Sequence, residues 1–155
     1  MPDVSVQRTI AAEPAAVWAL VSDPTRYGDW SPENRGAVWK GDATGPKVGA
    51  KFRGKNKNGW ARWGTTCTVT ECEVNERFTF LVTSGPIKVS TWGYELRPVD
   101  VDGETHTEVT EHTTNHENKF LEKSGSFLIG LNDRREFNKS SIEATLAAIA
   151  AELER

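Results

Sequence analysis

Val4, Val6 and Ile10 alternate with polar residues and predict a first β-strand. Pro14 then opens a helix in which Val17, Trp18 and Val21 recur at helical spacing, and Ser22, Asp23 and Pro24 end it. Residues 25–32, with Tyr27 and Trp30, predict a second short helix or turn. From residue 36 to 114 the apolar period becomes two, broken by Gly, Pro, Asn and Asp. Strands are expected over 36–40, 50–57, 61–74, 77–83, 87–97 and 104–114, which with the first makes about seven. Residues 57–59 and 100–103 read as hairpin connections. Residues 115–130 have no clean period, and Gly125 and Gly130 interrupt them, which predicts a lid or an interaction patch. Asp133 followed by Glu136 resembles a capping box, and Ile142, Leu146, Ile149 and Leu153 form the stripe of a long helix over 133–152.

Strands segregated from helices in this way predict an α+β domain with a mostly antiparallel sheet. Residues 1–155 show no repeat or linker, so one domain is expected. The final helix must cover the concave face of the sheet. Alternation then assigns the inner face. Trp63, Thr65, Cys67 and Val69 share one side of their strand, Phe78, Phe80 and Val82 another, then Trp92, Tyr94 and Leu96, and last Thr107, Val109, Glu111 and Thr113. Around the final helix, Arg135 and Asn138 fall close in phase to Ile142, so the inner stripe turns polar toward the helix N-terminus.

Composition sharpens this picture. Six Trp and six Phe are many for 155 residues and must line a large core or a pocket. The net charge is −3, and no Lys/Arg cluster has the form of a nucleic-acid footprint. Lys51, Arg53, Lys55 and Lys57 occupy alternate positions, as on the solvent side of a strand. No segment has the length and apolarity of a membrane span or the pattern of a signal peptide, so a cytoplasmic protein without integral membrane contact is expected. Cys67 and Cys72 are five apart in a strand-like run, so alternation puts them on opposite faces, unpaired. No metal or other cofactor is expected, and the chain is expected to be a monomer or a weak homodimer.

The run from Ile10 through Trp18 to Pro32 resembles the N-terminal signature of the polyketide cyclase/dehydrase branch of the START-related, birch-pollen-allergen-like superfamily (SRPBCC). Val48 to Phe52, Trp63 to Val69, Trp92 to Leu96, Thr107 to Glu111 and Thr145 to Ile149 resemble its later motifs. The resemblance implies a helix-grip fold, in which a curved antiparallel sheet wraps a long C-terminal helix behind two short helices that follow the first strand. It also implies a deep cavity between sheet and helix. Members bind lipids, sterols, polyketides or plant hormones, and some catalyse cyclisation or aromatisation. Fold does not fix which.

The expected ligand site comprises Trp63, Cys67, Phe80, Trp92, Tyr94, Val109, Glu111, Arg135, Asn138 and Ile142, around a cavity of roughly several hundred Å³. Glu111, Tyr94 and Arg135 are the candidates for acid–base work, because a carboxyl group against aromatic rings is desolvated into the range of a general base. His106 and His112 share the outward face of their strand at a separation too great for one metal. Cys67 has no base placed beside it. Binding or carriage of a hydrophobic small molecule, lipid- or polyketide-like, therefore ranks ahead of a cyclase, aromatase or dehydratase-type lyase using the same cavity. A co-chaperone-like interaction module ranks third.

Overall fold

The computed structural model describes residues 2–31, 34–58, 61–116 and 131–155. Seven strands form one sheet: β1 Val4–Ile10, β2 Asn34–Trp39, β3 Lys51–Asn58, β4 Ala61–Glu73, β5 Arg77–Ser84, β6 Ile87–Val101 and β7 Glu104–Asn115. Their order is β1-β7-β6-β5-β4-β3-β2, with every neighbour antiparallel. β2 to β7 are thus a continuous meander, and β1 adds to its far edge. β6 extends four residues past the expected end at 97, because its largely exposed tail, Pro98 to Val101, stays paired with β7 up to Val101↔Glu104. Between these strands Asp102 (φ +53°) and Gly103 (φ +85°) both take the left-handed conformation that a two-residue hairpin of this twist requires. The Gly103 amide donates to Asp100 Oδ1 at 2.8 Å and fixes the turn. The expected connection at 57–59 lies partly outside the described residues.

Helix α1 (Pro14–Val21) begins at a proline whose φ is already helical, and it buries Val17, Trp18, Leu20 and Val21. Trp18 is core, edge-on to Phe78 with ring centroids 6.1 Å apart. A 3-10 helix follows (Pro24–Asp29), capped by the Asp23 carboxylate, which accepts from the Thr25 amide. The Tyr27 hydroxyl donates to the Val21 carbonyl at 2.6 Å and ties this helix back to α1.

Helix α2 (Leu131–Leu153) lays Asn138, Ser141, Ile142, Thr145, Leu146, Ile149 and Ala150 inward, all buried. It already runs at Leu131, so Asp133 lies inside it and is not its N-cap. Its C-terminal end is tied down by two contacts: Ala11 N donates to Glu154 Oε2 at 2.9 Å, and Arg26 Nη2 donates to Glu152 Oε1 at 2.7 Å. Apart from Asn115 and His116, the expected lid at 115–130 lies outside the described residues. Asn115 ends β7, and the His116 amide donates to the Val89 carbonyl.

One departure comes from a β-bulge. Val69 pairs with Phe80 and Glu71 with Thr79, so Thr70 is an extra residue on β4. Past it the alternation changes phase. Cys72 lies opposite Phe78 and packs against the core, on the same face as Cys67 rather than the opposite one. Both thiols are free. A second register shift falls between β5 and β6, where Val82 pairs with Ser90 and Thr83 with Lys88, leaving Val89 extra. Bulges increase local bend and twist, and these two fall on the strands that curve the centre of the sheet.

Candidate functional site

β7 supplies the chemical centre of the interior. Its residues alternate strictly in burial, and Thr107, Val109, Glu111 and Thr113 are the inward set. Antiparallel pairing places Tyr94 of β6 directly opposite Glu111. On the same face, β5 contributes Phe80 and Val82, β4 contributes Thr65 and Cys67, and β3 contributes Phe52 and Gly54. These residues, with Tyr27, Trp30, Ser31, Val89, Ser90, Trp92, Ser141 and Thr145, line a cavity of about 140 Å³. That is less than the several hundred Å³ expected from the sequence. Aromatic rings crowd its wall. Phe52 and Phe80 meet at 5.1 Å between centroids, Tyr27 and Phe80 at 6.1 Å, and Tyr27 and Tyr94 at 6.3 Å. Phe78 and Trp39 extend this aromatic wall behind the lining.

Glu111 is 4% exposed. Burial pushes its carboxyl group up to about 8, partly offset by the hydrogen bond of the Tyr94 hydroxyl, so at neutral pH the acid is mostly protonated. Burial also raises Tyr94 and Tyr27 well above the ordinary tyrosine value, and the nearby Glu111 adds to both shifts. The Cys67 thiol is pushed up to about 12 by burial, which leaves it an un-ionised, inert wall group. Most hydroxyls around the cavity are already engaged. Tyr27 donates to Val21, Ser90 Oγ accepts from Trp92 Nε1 at 3.0 Å, and Thr145 Oγ1 donates to the Ser141 carbonyl at 2.9 Å. Among the described residues, the buried side-chain polar atom that lines the cavity without a partner is Glu111 Oε1.

The structure brings Cys67, Phe80, Trp92, Tyr94 and Glu111 together as the sequence suggests. It moves others. Val109 and Ile142 are fully buried in the core behind the cavity. Asn138 is 1% exposed with both amide atoms unpartnered, yet it does not line the cavity. Arg135 is exposed and takes no part in the site. Its helical phase is right, but it sits about 10 Å further along the axis than Ile142, so phase gives its side and not its depth. The Trp63 side chain lies outside the described residues. Sequence reasoning missed Phe52, Gly54, Ser141 and Thr145. Ser141 and Thr145 flank Ile142 on α2, and their polar character hid them from a search for apolar stripes. Phe52 was visible as the apolar position between Lys51 and Arg53.

On the convex side, His112 lies over Gly93, where a Cβ would come within 2.7 Å of the imidazole. Burial lowers the His112 pKa. Among the described residues no cluster of His, Cys, Asp and Glu has the makings of a metal site.

The chain matches the model of a family described as polyketide cyclase / dehydrase and lipid transport over residues 1–154. It is similar to a polyketide-cyclase-like protein from Corynebacterium glutamicum whose structure is solved: identity is 32%, coverage 97% of this chain and 91% of that one, and the TM-score 0.63. Fold likeness extends to an aromatase/cyclase from a Streptomyces species at 17% identity, 98% and 93% coverage and a TM-score of 0.61. A START superfamily protein from Mycobacterium smegmatis gives 15%, 97% and 96%, and 0.66. No curated protein matches the chain.

Proposed function

This chain belongs to the polyketide cyclase / dehydrase and lipid transport family and has its helix-grip fold, and from that premise we propose that it binds or carries a hydrophobic small molecule in the cavity around Glu111. The observation that carries the reading is a fully buried, unpaired carboxyl oxygen in the wall of an aromatic cavity. Burying such a group unsatisfied costs free energy and contributes nothing to packing, so a ligand that partners it explains its place. The presence of a cavity favours the two small-molecule readings over an interaction module.

A specific observation keeps the enzyme reading second. A carboxyl group held near 8 beside a tyrosine is suited to accept a proton from an acidic carbon or to return one to an oxygen, as cyclisation or dehydration requires. Glu111→Gln separates the two. The neutral amide resembles the protonated acid in shape and hydrogen bonding, so a carrier keeps its affinity within about threefold. Neither protein then turns over a poly-β-ketone substrate. An enzyme binds the substrate equally well in both forms and loses about a hundredfold or more in turnover on substitution. Glu111→Leu, which removes the polar group, is expected to weaken binding by about three- to tenfold. Equal binding by wild type, Gln and Leu variants with no turnover in any would leave Glu111 without a role and the reading without its support.

A further inference from the structure

Resting on the reading of the cavity as a ligand site, we propose that it selects uncharged one-ring aromatic molecules carrying a hydrogen-bonding group, phenols being the simplest class, and rejects carboxylates such as fatty acids. Size is the first ground. The cavity measures about 140 Å³, close to the ~150 Å³ apolar cavity that takes up benzene. One ring fits that volume, whereas a sterol or a folded polyketide chain would have to project through its open side. Shape is the second ground. Tyr27, Phe52, Phe80 and Tyr94 form a connected wall with centroids 5.1–6.3 Å apart, which suits offset or edge-on contact with another ring.

The polar ground concerns one atom. The hydroxyls of Tyr27, Ser90 and Thr145 have partners, and Glu111 Oε1 has none. A single hydrogen-bonding group on the ligand satisfies it. Charge supplies the discrimination. Among the described residues, no lysine, arginine or histidine lines the cavity. Arg26 sits over Trp30, a lining residue, and pairs with Glu152 and Asp29. An anionic headgroup brought to Glu111 would lie beside a carboxyl group with no counter-charge, and an unpaired buried charge is strongly unfavourable.

The test is a set of titrations at pH 7 of the isotopically labelled 155-residue chain, followed by amide NMR shifts, with 4-methylphenol, toluene, 4-methylbenzoate, 4-methylbenzylammonium and decanoate. The inference expects saturable shifts with 4-methylphenol at cavity-lining residues such as Ser90, Trp92 and Thr145. Toluene should bind about three- to tenfold more weakly, and both carboxylates at least about tenfold more weakly. Glu111→Leu should erase the preference for 4-methylphenol over toluene while toluene still binds, and Glu111→Gln should keep it should the leucine variant not fold. Decanoate or 4-methylbenzoate binding as tightly as 4-methylphenol would overturn the class while leaving a hydrophobic-ligand cavity in place. So would tightest binding of the ammonium probe with proton release, which would make Glu111 a counter-ion. No saturable shifts with any probe would overturn the inference outright, and native mass spectrometry of the chain purified from the cells that make it, read for a retained small molecule, judges the wider reading separately.

Discussion

Glu111 shows at the scale of one residue what the site costs the fold. Its carboxyl pKa is about 8 in the folded chain against an ordinary 4.5. Between those values the folded state holds a proton that the unfolded state has released, so stability falls as pH rises. The loss begins above about 4.5 and is complete above about 8, at up to ~1.4 kcal/mol per pH unit between. Below 4.5 the group is protonated in both states and contributes no slope. Chemical denaturation of the wild type and Glu111→Gln across pH 5 to 8.5 is expected to show the variant gaining stability relative to the wild type by on the order of 3–4 kcal/mol between pH 5 and pH 8. A parallel pH dependence in both proteins would mean that Glu111 does not titrate as described. Cys67, with its thiol pushed up to about 12, should alkylate with iodoacetamide far more slowly in the native state than the half-buried Cys72. Equal native-state rates, measured by peptide mass spectrometry, would contradict that burial. Glu111 was legible in the sequence because one strand alternates without interruption from Thr107 to Thr113. Arg135 misled because helical phase is periodic and says nothing about where along the axis the covering sheet stops.

Elements carry the next level of constraint. The bulge at Thr70 has no strong sequence signal, since no glycine marks it, and its consequence is the transfer of Cys72 to the inner face. Strand existence and the hairpin at 100–103 could be read from period two and turn residues, whereas a phase change within a strand depends on pairing across the sheet. α2 illustrates the same limit from the other side: Ile142, Leu146 and Ile149 announce the buried stripe, while Ser141 and Thr145 share it and look solvent-facing in the sequence. The β5–β6–β7 row of Thr79, Gly93 and His112 offers a test at this scale. A Cβ on Gly93 would lie 2.7 Å from the His112 ring and 2.8 Å from Thr79 Oγ1. Gly93→Ala is therefore expected to destabilise the chain by about 1–2 kcal/mol in thermal or chemical unfolding, and His112→Ala in the same chain to recover much of that loss. Additive losses in the double variant would mean that the histidine ring is not what excludes a side chain there.

The whole molecule joins a meander sheet, a terminal helix tied down through Glu152 and Glu154, and an interior left partly unfilled around one protonated acid. Among the described residues, no helix is long and apolar enough to cross a membrane. The most direct test of the central claim is native mass spectrometry of the chain purified from the cells that make it, compared with Val82→Phe, which fills the cavity wall. The account predicts a wild-type fraction heavier by one small hydrophobic molecule that is released on denaturation, and a folded Val82→Phe variant without it. Wild-type chain carrying no such molecule, or a folded Val82→Phe variant that retains it equally, would contradict the claim that the cavity around Glu111 is a ligand site.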